Sequence, residues 1–242
     1  LKRKLTALRM FYAYLFKNGK IDSDPTKIVE MPKLHSKAIV RMEPNEVAQF
    51  LDNVEYGNKL SNHQQKYHEK NKVRDLALLT LMLGTGIRVS ECVGLDIKDV
   101  DFDYDRIKIV RKGGYEAYVY FGEEARDALI DYLDERENIV PVEGHENALF
   151  LSSQRKRISV RSVENMVKKY ASITTPLKKI TPHKLRSTYG TTLYQQTSDI
   201  YLVADVLGHK DVNTTKKHYA DIDDWQRMKA KDAVTLREKH NK

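Results

Sequence analysis

Apolar residues recur at helical spacing in several separate stretches of the chain. Near the start, four of them fall on one side of a predicted helix: Leu5, Leu8, Tyr12 and Leu15. The same spacing recurs in four later stretches, 46–54, 73–83, 125–133 and 163–170. After these stretches the pattern favours helix to the end of the chain. Most of the chain is therefore predicted to be helical.

One segment has the alternating pattern of strands instead. The stretch "DRIKIVRKGGYEAYVYF", residues 105–121, has β-branched and aromatic residues on both sides of Gly113 and Gly114. This pattern predicts a hairpin whose turn needs positive φ, with Lys112 at its tip. A short strand is also predicted in "NALFLS", residues 147–152. The predicted fold class is mainly α with a small antiparallel sheet (α+β).

Polar stretches divide the chain. "MPKLHSKAIVRMEP" contains two prolines and little periodicity, which predicts an interdomain linker. The polar run at residues 55–72 is predicted to be a surface loop. We therefore divide the chain into four parts: 1–31, a helical block; 32–42, the linker; 43–223, the main domain; and 224–242, a helical tail. The chain begins with Leu1 rather than Met, which we interpret as a fragment of a longer protein.

Composition and charge indicate which class of partner the chain binds. The 242 residues have a formal net charge of +8, which favours a polyanionic partner, nucleic acid before a membrane surface. A basic protein with a solvated surface is the alternative. The single cysteine, Cys92, excludes an intramolecular disulfide and predicts a reducing, cytoplasmic compartment. The longest apolar run, residues 76–83, is too short to span a membrane.

A glycine-rich turn holds the first candidate for chemistry. In "LGTGIRVSE", residues 83–91, Gly84 and Gly86 bracket a predicted turn that delivers Arg88 to the start of the next apolar stretch. A guanidinium in this position suits an anion. The alternative is that Arg88 forms an ion pair with a nearby carboxylate such as Glu91.

A second candidate lies at a predicted helix start. In "ITPHKLRSTYGTTLY", Thr181 is a plausible N-cap and Pro182 a first helical residue, so His183 lies in the first turn. Arg186 follows three residues later, on the same face. A helix N-terminus beside two cationic side chains suits a phosphate. Alone the HxxR spacing is weak, and a capping histidine with a structural arginine is the alternative.

The stretch "VADVLGHKDVNTTKKHYADI" adds the remaining candidates. Gly208 is predicted to cap a helix, His209 follows it, and Tyr219 lies ten residues beyond. A tyrosine that acts as a nucleophile must lose a proton with a pKa near 10, so it needs cations or a base nearby. Several such side chains are close in sequence: His209, Lys216, Lys217 and His218.

In this order and spacing the motifs "GTGIRVSE", "RKGG", "HKLR" and "LGH", followed by the tyrosine, resemble the signature of the tyrosine recombinases, or phage integrases, including Xer-like proteins. The resemblance covers nearly the whole chain, with residues 1–31 similar to the end of a core-binding domain. The matched functional positions are Arg88, Lys112, His183, Arg186, His209 and Tyr219. Two positions depart from the family pattern: Ser187, where a histidine is frequent, and His218, where an aliphatic residue is usual.

The resemblance implies strand cleavage and rejoining through a 3′-phosphotyrosyl intermediate, with no metal, ATP or other cofactor. Tyr219 is then the nucleophile, and two bidentate guanidiniums stabilise the charge that gathers on the phosphate oxygens. We assign His183 as proton acceptor and Lys112 as the acid for the leaving 5′ oxygen. His209 is expected to donate a hydrogen bond to the phosphate.

The expected partner is double-stranded DNA at a specific site. Six basic residues are candidates for phosphate contacts: Arg155, Lys156, Arg157, Arg161, Lys178 and Lys179. The family implies a tetramer on two DNA duplexes, joined by C-terminal helices such as residues 225–242, with an accessory protein possible. It also implies a bacterial cytoplasmic protein that does not act at a membrane, whose product is integration, excision or resolution of DNA.

Two other interpretations stay open from the sequence. A type IB topoisomerase uses similar chemistry, although the Xer-like spacing and the core-binding remnant argue against it. A DNA-binding protein that has kept this fold without activity is the alternative from another class.

Overall fold

The computed structural model describes residues 2–32, 40–111, 113–209 and Val212. The chain separates into two units, residues 1–38 and 39–242. In the first unit, helix α1 (Lys2–Lys17) is followed by a short 3-10 helix, Pro25–Ile28. The side chain of Asp24 caps this helix by accepting a hydrogen bond from the backbone N–H of Thr26.

Eight α-helices follow in the described part of the second unit. Their bounds are α2 (Pro44–Tyr56), α3 (Asn62–Glu69), α4 (Lys72–Thr85), α5 (Val89–Gly94), α6 (Glu123–Glu137), α7 (Val160–Thr174), α8 (Pro182–Thr197) and α9 (Ile200–Leu207). The helices predicted from the four apolar stripes correspond to α2, α4, α6 and α7. Each is a few residues longer than its stripe, because caps and polar first turns carry no periodic signal.

Helix α4 lies at the centre of this unit. It packs against α2, α6 and α8, and its residues 77–83 are all buried. A helix that is apolar on every side must be enclosed on every side. Burial inside this unit therefore accounts for the apolar run "LALLTLML", and no membrane is needed to explain it. No helix in the described ranges is long and apolar enough to cross a bilayer.

The sheet has three antiparallel strands in the order β1 (Val100–Asp101), β2 (Arg106–Val110) and β3 (Glu116–Tyr120). The hairpin between β2 and β3 was predicted, and its register pairs Ile107 with Val119. Gly113 and Gly114 have φ of 107° and 84°, so the turn uses the positive φ that two glycines allow. The mainly α fold with a small antiparallel sheet is confirmed.

Two local predictions were wrong. The polar run at residues 55–72 contains α3, which begins with the N-cap Ser61 and buries His68 against the carbonyl of Val54 at 2.8 Å. The stretch 147–152 forms only isolated bridges, such as Ala148 with Asp96, and no strand. The first error arises because one buried side chain leaves no repeating pattern in the sequence of α3. The second arises because the buried run 148–151 has the apolar pattern of a strand but pairs only through isolated bridges.

Candidate functional site

The turn before Arg88 depends on one glycine. Helix α4 ends at Thr85, and Gly86 adopts φ of 64° while its N–H donates to the carbonyl of Met82. A Cβ atom on Gly86 would lie 2.4 Å from a ring carbon of Tyr189. Gly84, in contrast, lies inside the helix. The two glycines therefore do not bracket the turn as predicted, and Gly86 alone makes it.

Arg88 is held by a neighbouring carboxylate. It is the N-cap of α5, and the two oxygens of Glu91 accept its backbone N–H at 2.8 Å and its Nη1 at 2.7 Å. The Glu91 side chain is buried, whereas the Arg88 side chain remains one-third exposed. The ion pair weighed from the sequence is thus present, and it orients the guanidinium while leaving part of it at the surface.

Arg186 lies almost completely out of solvent. Helix α8 begins after the N-cap Thr181 with Pro182 at its first position, as predicted. One turn later, the side chain of Arg186 is only 6% exposed. Its Nη1 donates to the carbonyl of Gly86 at 2.7 Å, and its Nη2 donates to that of Leu207. The buried guanidinium therefore joins α8 to the turn before Arg88 and to the end of α9.

His183 is exposed in the first turn of α8, three residues before Arg186. Its backbone carbonyl accepts a hydrogen bond from the hydroxyl of Ser187 at 3.0 Å. The hydroxyl of Ser187, one of the two residues that depart from the family pattern, thus makes a hydrogen bond within α8. On the adjoining stripe Leu185 is buried, and burial raises the pKa of the Tyr189 hydroxyl.

The end of α9 is where the arginines meet. Gly208 caps the helix with φ of 60°, and His209 follows with its N–H donating to the carbonyl of Ala204 at 2.9 Å. The carbonyls of residues 206–208, which we call the α9 C-terminal turn, accept in order from three arginines: Arg111, Arg186 and Arg88. The last contact is long, at 3.4 Å.

This arrangement follows from helix electrostatics. The last carbonyls of a helix have no partner within the helix and bear partial negative charge, so guanidiniums are favourable there. The turn can thus hold three like charges close together, and Glu91 offsets part of their repulsion. What results is a concentration of positive charge suited to an anion.

A cleft of about 1140 Å³ opens beside these residues. Arg88, Arg111, Gly208 and His209 lie along its wall, together with residues 117–120 of β3. One face is thus cationic and the other is the edge of the hairpin. A phosphodiester fits the chemistry of this wall, because guanidinium N–H groups bind phosphate oxygens in pairs.

The structure brings together three of the six predicted positions: Arg88, Arg186 and His209 meet at the α9 C-terminal turn. His183 lies one helical turn from Arg186. Lys112 and Tyr219 lie outside the described residues, as does the tail at 224–242. Sequence reasoning missed Arg111, although its place directly before the hairpin lysine was a signal that could have found it.

The basic residues predicted to contact DNA separate into two groups. Arg155, Lys156 and Lys179 are exposed, and Arg161 is 79% exposed beside Glu164. Arg157 and Lys178 have partners within the protein. Arg157 donates to Asp96 at 2.5 Å and to the carbonyls of Val93 and Leu95.

Lys178 joins the α7–α8 connection to α2. Its Nζ donates to Glu46 at 2.6 Å and to the carbonyl of Arg41 at 3.2 Å. The hydrogen bond from Lys178 lowers the pKa of the Glu46 carboxyl.

The remaining titratable side chains offer no further centre. Cys92 is buried in the core, and burial raises the pKa of its thiol, so it is core filling. Within the ranges that the structure describes, no three His, Cys, Asp or Glu side chains are grouped to hold a metal ion.

Comparison with known proteins agrees with the motifs. The phage integrase family model matches residues 40–225. Tyrosine recombinase XerS of Streptococcus agalactiae is 41% identical over 189 residues, covering 76% of this chain and 52% of that protein. XerS of Streptococcus uberis is 35% identical over 248 residues, covering 94% and 69%. The chain thus spans about half the length of the first of these relatives.

Solved structures share the fold at lower identity. The XerH site-specific recombinase bound to a palindromic difH substrate gives a TM-score of 0.73 at 22% identity, covering 92% of this chain and 63% of that one. The Tn1549 transposon integrase in complex with a circular intermediate DNA gives 0.71 at 20% identity, covering 93% and 78%. At this identity the likeness concerns the fold.

Proposed function

The chain belongs to the phage integrase family, and from this membership we propose that it is the catalytic part of a site-specific tyrosine recombinase. Its reaction is the cleavage and rejoining of DNA strands through a 3′-phosphotyrosyl intermediate. One observation supports the proposal above the others: guanidiniums from α5 and α8 meet beside His209 at the α9 C-terminal turn. This is the arrangement that a scissile phosphate needs.

The chemistry assigns each matched residue one step. The hydroxyl oxygen of Tyr219 attacks phosphorus and forms a P–O bond while the bond to the 5′ oxygen breaks. His183 takes the tyrosine proton, and Lys112 gives a proton to the leaving 5′ oxygen. In the reverse direction a 5′-hydroxyl attacks the phosphotyrosine and the strand is rejoined, so bond energy is conserved without ATP.

Stabilisation of the transition state falls to the residues around the α9 C-terminal turn. As phosphorus becomes five-coordinate, negative charge increases on its nonbridging oxygens, and Arg88 and Arg186 bind those oxygens. His209 adds a hydrogen bond. Because Glu91 and backbone carbonyls already orient both guanidiniums, little reorganisation is needed when DNA binds.

The rest of the chain supports DNA binding and assembly. We assign residues 1–31 to the end of a core-binding domain, 32–42 to a linker, 43–223 to the catalytic domain and 224–242 to a helical contact between protomers. The active assembly is a tetramer on two duplexes in the cytoplasm, with an accessory protein where the reaction requires one. Its product is integrated, excised or resolved DNA.

Phosphate contacts outside the cleft come from the exposed basic residues. These are Arg155, Lys156, Arg161 and Lys179. Arg157 and Lys178 are assigned instead to the fold, because their charged ends already have partners inside the protein.

Covalent trapping tests the proposal. The full-length protein and its Tyr219→Phe variant are incubated with fragmented genomic DNA, denatured with detergent, and the attached DNA is sequenced. We expect one recurrent site that is attached to the wild-type protein and lost in the variant. Binding without any adduct would contradict the proposal in favour of a DNA-binding protein, and relaxation of supercoiled DNA at no preferred sequence would favour a topoisomerase.

A further inference from the structure

Arg111 lies at the base of the β2–β3 turn, next to the predicted acid Lys112 and outside the positions matched to the family. Its backbone closes the turn: its N–H donates to the carbonyl of Tyr115 at 2.8 Å, and its carbonyl accepts from Gly114 at 3.0 Å. The hairpin therefore holds the main chain of Arg111 in place. Its side chain leaves the hairpin and reaches α9.

All three nitrogens of the Arg111 guanidinium are turned towards the protein. Nη2 donates to the carbonyl of Val206 at 2.9 Å. Nη1 lies so close to Gly208 that a Cβ atom there would be 1.2 Å away. Nε is buried and has no hydrogen-bond partner among the described residues. These contacts hold the Arg111 guanidinium against the α9 C-terminal turn.

Gly208 is favoured by its own backbone, and its missing side chain leaves room for this contact. Its φ of 60° caps α9, and the guanidinium of Arg111 occupies the space where any side chain would begin. The glycine of the "LGH" motif and the arginine of "RKGG" thus fit each other across the cleft. The hydrogen bond from Arg111 to Val206 joins two residues that are 95 positions apart in the sequence.

Two predicted site residues lie next to this contact in the chain. Lys112 follows Arg111 directly in the chain, and His209 follows Gly208. The hydrogen bond between the two segments links the start of the hairpin tip to the end of α9. A shift of either segment would alter the distance from the acid to the phosphate.

We propose that Arg111 is a positioning residue for strand cleavage, which holds the hairpin against the α9 C-terminal turn so that Lys112 reaches the leaving 5′ oxygen. This inference rests on the proposed function. It predicts that loss of the Arg111 side chain slows the chemical step and leaves DNA affinity nearly unchanged. It also predicts that the loss matters most where the leaving group needs a proton.

The test measures single-turnover formation of the Tyr219 adduct by the full-length protein on a nicked duplex containing its site. The substrate is made with the ordinary 5′ oxygen and with a 5′-bridging sulfur, whose departure needs no acid. The variants are Arg111→Ala and Arg111→Lys, with Lys112→Ala for comparison. Arg106→Ala is the matched control, because Arg106 lies on β2, the strand that leads to Arg111, but pairs with Asp101.

For Arg111→Ala we expect a rate on ordinary DNA that is roughly tenfold or more slower, since general acid catalysis contributes about 10²–10⁴-fold. The deficit should shrink severalfold with the bridging sulfur, as for Lys112→Ala. Arg111→Lys keeps a cation and a donor and should recover part of the rate. Arg106→Ala should behave like the wild type on both substrates.

Affinity is measured in the Tyr219→Phe background. A Kd within about threefold of the parent is expected for Arg111→Ala, because each well-made phosphate contact would contribute more than that. Weaker binding with an unchanged rate at saturation would overturn the proposal and make Arg111 a DNA contact. An equal deficit on both substrates, or no deficit, would overturn it too. If the wild-type protein forms no adduct, the proposed function itself fails, which is a separate result.

Discussion

Gly84 and Gly86 stand two residues apart in one motif and meet different steric demands. Gly84 lies within α4, where an added Cβ would make an ordinary contact with Ala125 at 3.9 Å. Gly86 combines φ of 64° with close approach to the Tyr189 ring. The sequence alone shows two equivalent glycines, and the backbone separates them.

Substituting each glycine by alanine should therefore have opposite effects on stability. Gly84→Ala is expected to raise the free energy of unfolding by about 0.5–1 kcal/mol, because alanine is the better helix former. Gly86→Ala should lower it by about 1–3 kcal/mol, through positive φ and the contact with Tyr189. Urea denaturation of both variants measures the difference. Equal effects of the two substitutions would contradict the assignment of the turn to Gly86.

At the scale of elements, apolar periodicity locates helices well and their connections poorly. Helix α4 is evident from its sequence, whereas α3 is hidden because its only buried side chain is His68. In the connection from α7 to α8, the sequence likewise does not show which contact a side chain makes. Lys178 there resembles a solvated DNA contact in the sequence, yet its ammonium group is bonded to Glu46 of α2. Lys178 and Glu46 are 132 residues apart, so no local pattern in the sequence indicates that they pair.

The Lys178–Glu46 contact predicts a pH dependence of stability. The pKa of Glu46 in the folded protein is below its ordinary value of 4.5, so its ionised form favours folding at pH values above 4.5, and this contribution disappears as the pH falls through the lowered pKa. Glu46→Gln should lower the free energy of unfolding at pH 7 by about 0.5 kcal/mol, a small value because the pair is partly exposed. The effect should be smaller at pH 3 than at pH 7.

Thermal melting of the wild type and Glu46→Gln at the two pH values measures this difference. Glu143→Gln, at an exposed position, is the control and should change Tm little at either pH. A Glu46→Gln deficit that persists unchanged at pH 3 would mean that packing, not the ionised carboxylate, is responsible.

At the scale of the whole molecule, the net charge of +8 indicates the partner but not where it binds. The exposed pair Arg155 and Lys156 and the internally bonded Arg157 occupy consecutive positions in the sequence. Only the first two are available to phosphates without breaking contacts in the fold. The distribution of the charge, rather than its sum, therefore determines the binding surface.

The salt dependence of DNA binding should separate these residues. In the full-length Tyr219→Phe protein, Arg155→Gln combined with Lys156→Gln is expected to reduce the slope of log K against log salt by about two, one for each phosphate contact. Arg157→Gln should leave the slope nearly unchanged and lower Tm, because Asp96 loses its partner. Fluorescence anisotropy across a salt series measures the slopes, and a flat response of the parent protein would count against phosphate binding.

The sequence by itself determined the helical character, the hairpin, the cap that begins α8 and the order of motifs that shows the family. These features depend on periodicity, capping and turn chemistry among residues close together in the chain, so local patterns suffice. It did not reveal Arg111, the inward contacts of Arg157 and Lys178, or the loss of the predicted strand at 147–152.

Only the tertiary structure decided that Arg88, Arg111 and Arg186 meet on three successive carbonyls. Their contacts to the α9 C-terminal turn span 120, 95 and 21 residues. A helix end offers its unpaired carbonyls to whichever cations the packing brings near, and no local pattern specifies which cations those are. For this reason the sequence identifies which residues are suited to the chemistry, whereas packing of α4, α8 and the hairpin decides that they meet at the end of α9.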